Sequence, residues 1–234
     1  SCQTMNKVKP KIGFKRFSLT FSSWFCVPEQ GMKDFEILCR ASAFLLPTSG
    51  NQWDNGRKFH VVTVGHAAGP WRYPKLYPQE WLRFVNNDHT HFTVEARQED
   101  GSMLVQLDLL PRAFYHSTRD LAVLHFEDEQ SSTDLLDMIQ YNKKLQLTDE
   151  DQLDLSNEND VYFFGHEVED APFKSPSLDR KRFFVSSSGK PLLRTTHQLF
   201  CPTKPILSDG MCGGPVLTTK EINEKESTKI ICGM

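Results

Sequence analysis

Several features that would place a protein in a class at once are missing from this sequence. None of its apolar runs approaches the ~20 residues that a membrane-spanning helix needs. The net charge at pH 7 is only −3, which argues against a dedicated binder of nucleic acids or of membrane surfaces. We therefore expect no nucleic-acid partner and no insertion into a membrane.

The cysteines also lack the spacing of a metal site. No two of them are separated by two residues, and none stands at zinc-ligand spacing from a histidine. His89 and His91 are expected to be solvent-exposed, and we predict no metal and no cofactor. Six cysteines in 234 residues are too few for a disulfide scaffold, which favours reduced thiols in an intracellular compartment, cytosolic or organellar, over secretion.

What the sequence does contain is a series of short strand patterns separated by Gly and Pro turns. Phe17, Leu19 and Phe21 alternate with polar residues, which predicts a half-buried strand. The valine-rich residues 59–64 predict a buried strand. Many short strands and few helices indicate an all-β fold with a barrel architecture.

An acidic stretch divides the chain. Residues 127–160 are rich in Asp and Glu and contain only Lys143 and Lys144 as basic residues. Within this stretch, residues 135–147 are predicted to form a short helix. The organisation that follows has four parts: residues 1–34 are an N-terminal arm and first strand, residues 35–126 a first β-barrel, residues 127–160 an acidic connection and residues 161–234 a second β-barrel.

The stretch with the clearest chemical content is Ser-Asp-Gly-Met-Cys-Gly-Gly-Pro, which places Cys212 among glycines. Glycines allow a sharp turn and a close approach of the backbone to a substrate. The amides of Gly210 and Cys212 are then placed to bind the oxyanion that forms when a carbonyl is attacked. The alternative interpretation is a glycine-rich turn with a buried cysteine.

Two further residues complete a set for acyl transfer. His66 ends the valine-rich strand, and Asp120 begins another apolar strand. A nucleophile, a base that takes its proton and a carboxylate that orients the base are the minimum for this chemistry.

The segments that carry these residues resemble those of the trypsin-like peptidases. Residues 60–68 are similar to the strand that delivers the family's histidine, and residues 120–124 to its aspartate segment. Residues 210–215 are similar to its nucleophile loop, and residues 161–166 to the strand that opens the second barrel. The order of His, Asp and nucleophile is the family's order. The resemblance implies two antiparallel six-stranded barrels with one site between them.

Three departures from the family pattern qualify the resemblance. Cysteine stands at 212 where serine is usual, as in the picornavirus-type cysteine proteases, and His66 would favour a thiolate–imidazolium pair. Met211 replaces the aspartate that secreted trypsins pair with a new N-terminus, and Ala67 replaces a disulfide cysteine. Only 22 residues follow Cys212, so we expect either a trimmed sequence or a second barrel that is incomplete at its C-terminus.

The resemblance also implies a position for the substrate pocket. Its floor lies six residues before the nucleophile, at Ile206, and an apolar floor does not pair a lysine or arginine side chain. We predict a medium apolar or uncharged polar residue before the cut bond.

Two functions follow from these features. The first is an endopeptidase acting on a polypeptide substrate, with Cys212, His66 and Asp120 as its catalytic residues. The second is a catalytically inactive trypsin-like domain that binds a protein partner or serves as a scaffold subunit.

Overall fold

A computed structural model of the chain describes residues 18–48, 57–138, 146–147, 161–168, 180–194, 199–220 and 227–231. These residues form antiparallel sheets and only two short α-helices, so the predicted all-β class is confirmed. The strands are β1 (Leu19–Phe25), β2 (Glu36–Pro47), β3 (Phe59–Thr63), β4 (Thr90–Arg97), β5 (Met103–Leu109), β6 (Phe114–Tyr115), β7 (Ala122–Leu124), β8 (Gln146–Leu147), β9 (Val161–Val168), β10 (Arg182–Gly189), β11 (Leu193–Arg194), β12 (Leu199–Phe200), β13 (Val216–Lys220) and β14 (Ser227–Ile231).

The first sheet holds the N-terminal half of the described chain. Its seven strands are arranged in the order β5-β4-β1-β2-β3-β7-β6, and every neighbouring pair is antiparallel. Strands β4 and β5 form an antiparallel hairpin around Gly101. The first strand, which the sequence analysis groups with the N-terminal arm, lies inside this sheet between β4 and β2.

The second sheet is built from the C-terminal half. Its order is β10-β9-β13-β14-β8, and all of its pairs are antiparallel except β14 with β8. A separate two-stranded pair is formed by β11 and β12. Within the described residues neither large sheet closes on itself, and the division is seven and five strands instead of six and six.

One main core holds the first sheet together and extends to the second. The alternation of apolar side chains along β1, β3 and β4 buries Phe21, Val61 and Phe92 completely. Phe164 of β9 and Leu217 of β13 belong to the same buried cluster. The two sheets therefore share one apolar core.

Two helices are described: α1 (Gly65–Ala68) is a single turn after β3, and α2 (Glu129–Met138) lies in the acidic stretch. The predicted helix at 135–147 is wrong at both limits. The side chain of Asp128 accepts a hydrogen bond from the amide of Gln130 and so favours an earlier start. Gln146 and Leu147 form β8 instead of helix. No helix in the described part of the chain has both the length and the apolar character to cross a membrane.

Candidate functional site

His66 stands where the first sheet meets a tight turn. Strand β3 ends at Thr63, Val64 is extended, and the single turn of α1 then begins at Gly65. This change from strand to helix leaves the backbone amide of His66 without a partner inside α1, since the first amides of a helix have none. Asp120 supplies that partner.

Asp120 contacts His66 at two points. Its Oδ1 accepts a hydrogen bond of 2.8 Å from the His66 amide, and its Oδ2 lies 2.5 Å from His66 Nδ1. The sheet register explains the proximity, because β7 pairs with β3 and places Ala122 opposite Thr63. Asp120 precedes β7 just as His66 follows β3. The carboxylate therefore fixes both the backbone and the ring of the histidine.

Tyr73 is a further partner of Asp120. Its hydroxyl is near enough to the carboxylate to help lower the Asp120 pKa, and its ring packs edge-on against the His66 ring. A glycine at 65 makes room for this hydroxyl, because a Cβ built there would lie 2.2 Å from the Tyr73 oxygen. A substituted residue at 65 would displace either Tyr73 or α1.

Cys212 lies in a tight loop between the two sheets. The segment Asp209–Met211 forms a 3-10 turn, and Gly213 has a φ of +85°, which a glycine adopts without strain. A Cβ at Gly214 would lie 1.7 Å from the Phe164 carbonyl oxygen of β9. The glycines let the loop pack closely against neighbouring backbone. This close packing restricts the choice of residue in the loop more than the turn conformation does.

Ser42 of β2 connects this loop to the first sheet. Its amide donates to the Cys212 carbonyl at 2.8 Å, and its hydroxyl donates to the Gly210 carbonyl at 2.7 Å. The same hydroxyl accepts a hydrogen bond from the amide of His166 in β9. One serine thus fixes the Cys212 loop relative to both sheets.

The electrostatics of the three groups are coupled. Burial by itself lowers the pKa of His66, but hydrogen bonds to Asp120 and to Cys212, together with their negative charges, raise the pKa to about 9. Burial alone would raise the pKa of Asp120, whereas the His66 and Tyr73 hydrogen bonds and the His66 charge lower it below its usual value. The arrangement favours the imidazolium form of His66.

The structure therefore brings together the three side chains that the sequence analysis singles out, His66, Asp120 and Cys212. The imidazole has the carboxylate at Nδ1, and the Cys212 thiol is near enough to help raise the His66 pKa. A side chain with those two neighbours can take a proton from the thiol while the carboxylate holds its orientation.

The remaining site predictions concern the oxyanion site and the substrate pocket. The Gly210 carbonyl is bonded to Ser42, and the role of the Gly210 and Cys212 amides as an oxyanion site stays a prediction. Ile206 is 86% exposed, so its side chain is not enclosed by the described residues. The side chains of residues 230–234, expected to form the opposite wall, lie outside those that the structure describes. The pocket at Ile206 stays a prediction.

Sequence reasoning missed two tyrosines and a cysteine. Tyr73 binds Asp120, and the Tyr77 hydroxyl lies 3.8 Å from Cys39 Sγ, with its ring centroid 6.1 Å from that of His66. Burial raises the pKa of Cys39, and the nearby Cys212 raises it further. Both tyrosines belong to an irregular segment after α1 that has no periodic pattern, so no sequence signal marks them.

No arrangement of His, Cys, Asp and Glu suited to a metal ion occurs among the described residues. His89 and His91 are partly buried, and they face different carboxylates: Glu29 at 3.6 Å and Asp108 at 3.1 Å. Comparison of the sequence with models of known protein families finds no match, and no curated protein matches it.

Proposed function

We propose that this chain is a cysteine endopeptidase with a trypsin-like fold and a polypeptide substrate. The observation that carries the proposal is the position of the His66 ring, with Asp120 Oδ2 at 2.5 Å from Nδ1 and Cys212 near enough to help raise the His66 pKa. A buried histidine that serves only packing needs neither a carboxylate nor a thiol.

The proposed mechanism has two halves, acylation of Cys212 and hydrolysis of the resulting thioester. His66 takes the proton of Cys212, and the thiolate sulfur attacks the carbonyl carbon of the peptide bond. The oxyanion binds to the amides of Gly210 and Cys212. His66 then gives its proton to the leaving amine, which leaves a thioester on Cys212. A water molecule, deprotonated by His66, hydrolyses the thioester and restores the thiol. Asp120 holds the ring throughout, and no cofactor takes part.

The two-barrel architecture belongs to the same proposal. We assign the seven-stranded sheet to the first barrel and the five-stranded sheet to the second. Support comes from the position of the Cys212 loop, which Ser42 joins to both sheets, as expected for a site shared between two barrels. The free thiols of Cys26, Cys39 and Cys212 support an intracellular setting, since an oxidising compartment would favour their oxidation to disulfides.

Covalent labelling and cleavage test this function together. We expect a peptide with a thiol-reactive electrophile to label Cys212 faster than the other cysteines, and a library of quenched fluorescent peptides to be cleaved. Cys212→Ala and His66→Gln should each abolish cleavage, whereas Cys26→Ala, the matched control, should retain it.

An inactive scaffold would give the opposite result. Equal labelling of all cysteines in the folded protein, together with no cleavage of any peptide in the library, would refute the peptidase and favour a trypsin-like binding domain.

A further inference from the structure

A cavity of about 300 Å³ lies on the segment that follows α1. This volume is at the lower end of the ~300–1,000 Å³ that small-molecule sites occupy, enough for one large side chain. The residues that form most of its wall are Trp71, Pro74, Tyr77, Pro78, Gln79 and Leu82.

Tyr77 belongs both to this cavity and to the surroundings of the site. Its ring lies 6.1 Å from the His66 ring between centroids, and its hydroxyl lies 3.8 Å from Cys39 Sγ. The charges of Cys212 and Asp120 also reach this hydroxyl and help to raise the Tyr77 pKa, although burial is the largest cause. Tyr77 thus borders both the cavity and the surroundings of His66 and Cys212.

The chemistry of the wall favours an apolar occupant. Much of the wall consists of the apolar side chains of Trp71, the two prolines and Leu82. The only charged residues of the lining, Glu80 and Arg83, have opposite signs. Such a wall gives little preference to an acid or a base, and burying an unpaired charge there would be costly.

One part of the wall, formed by Leu82, Trp71 and Tyr77, is also preformed. Leu82 is buried with Phe25, Val27 and Val85 in a small cluster of its own, and Trp71 and Tyr77 pack against that cluster. A cavity whose walls are already packed binds a side chain without first having to order them.

The same segment exposes further apolar surface. Leu76, Trp81 and Phe84 are each between 45% and 61% exposed. Where such residues form a contiguous patch, they mark a surface that meets a partner. They are interspersed in sequence with the residues that line the cavity.

We infer that this cavity binds a large apolar side chain, aromatic or branched aliphatic, of the polypeptide whose scissile bond lies at Cys212. The inference rests on the proposed function and names one determinant of its substrate. It is separate from the pocket predicted at Ile206.

Two series of peptide probes test the inference without requiring turnover. One series has a chloromethyl ketone at the carboxyl end, and the other has a chloroacetyl group at the amino end, so that together they extend to both sides of the site. Each position is varied among Phe, Leu, Lys and Asp. The measured quantity is the rate of Cys212 alkylation divided by the rate with chloroacetamide in the same variant.

We expect one position, in one series, at which Phe and Leu raise this ratio about tenfold or more over Lys and Asp, as partial burial of such a side chain implies. Gln79→Trp places bulk in the cavity and should remove that preference. Lys75→Trp adds the same bulk at an exposed position of the same segment outside the cavity lining and should keep it.

The outcomes separate the two proposals. If peptides of either series accelerate alkylation but no position prefers Phe and Leu, or Gln79→Trp keeps the preference, the cavity inference is overturned and the peptidase stands. If no peptide reacts faster than chloroacetamide, Cys212 does not recognise a polypeptide, and both are overturned.

Discussion

His66 is the side chain on which the proposed chemistry depends most, because it is hydrogen-bonded to the carboxylate and its pKa responds to the nearby thiol. Only 17% of its side chain is exposed, and its backbone amide and ring nitrogen both contact Asp120. The histidine is thus positioned before any substrate binds. Its environment, more than its identity, makes it a candidate base.

Replacing Asp120 tests that environment. Asp120→Asn keeps the size of the side chain but removes the charge that stabilises the imidazolium. We expect kcat/KM for peptide cleavage to fall about 100-fold or more, within the range that acid–base catalysis contributes. Asp108→Asn removes the carboxylate beside His91 instead and is the matched control. An equal loss in both variants would contradict a specific role for Asp120.

The raised pKa of His66 also predicts how stability depends on pH. A group whose pKa is higher in the folded protein than in the unfolded chain contributes stability that is fully present below the unfolded value of 6.5. That contribution is lost as the pH rises through about 9. We expect urea denaturation to show a decrease on the order of 2 kcal/mol between pH 6 and pH 9.5.

Asp120→Asn again supplies the comparison. Because it removes the main partner of the imidazolium, the variant should show a clearly smaller decrease over the same pH range. Parallel pH profiles for the wild type and the variant would mean that His66 is not the titrating group.

At the scale of secondary structure, the strands were largely predictable from the sequence and the contacts between them were not. The valine run of β3, the hairpin of β4 and β5, and the apolar stretch of β7 all show the periodicity that burial imposes on a strand. The order and spacing of His66, Asp120 and Cys212 pointed to one site. Helix α2 was misplaced because the capping residue Asp128 lies in an acidic stretch where it does not stand out.

The tyrosines illustrate what the sequence left hidden. Tyr73 and Tyr77 lie in an irregular segment, and their partners are fixed by the path of the chain instead of by a repeat. Likewise, Ser42 is one of several serines on buried strands, and nothing in its neighbourhood indicates a bond to a residue 168 positions away. Long-range polar contacts of this kind follow from the assembled fold.

Ser42 yields a prediction about the Cys212 loop. Ser42→Ala keeps the backbone bond to Cys212 but removes the hydroxyl that joins the Gly210 carbonyl to the His166 amide. We expect about 1–3 kcal/mol of destabilisation, the cost of leaving buried polar groups unpaired, and a lower rate of Cys212 alkylation. Ser23→Ala, which removes a hydroxyl bonded to the Ala67 carbonyl, is the matched control. If Ser23→Ala slows Cys212 alkylation as much as Ser42→Ala does, Ser42 has no specific effect on the loop.

For the molecule as a whole, a buried ionic cluster joins the two sheets. Arg182 of β10 donates to the Phe21 carbonyl at 3.2 Å, to the Ser22 hydroxyl at 2.6 Å and to Glu95 of β4 at 3.5 Å. Arg97 also pairs with Glu95. Burial would raise the pKa of Glu95, but the two arginines lower it, so the carboxylate stays charged inside the protein. A second link runs from the Arg182 amide to the carbonyl of Gly101.

The last prediction concerns this cluster. Arg182→Met keeps a long apolar chain but leaves Glu95 with one cation and removes the donors to β1. Breaking a buried ion pair from one side costs about 3–5 kcal/mol, so we expect a loss of this order in urea denaturation. Amide exchange should accelerate most in β9 and β10, the part of the second sheet that Arg182 attaches to the first. Lys181→Met, at the exposed neighbouring position, should change neither quantity by more than about 0.5 kcal/mol. If the two variants prove equally stable, the Arg182 side chain contributes nothing to the attachment of the second sheet to the first.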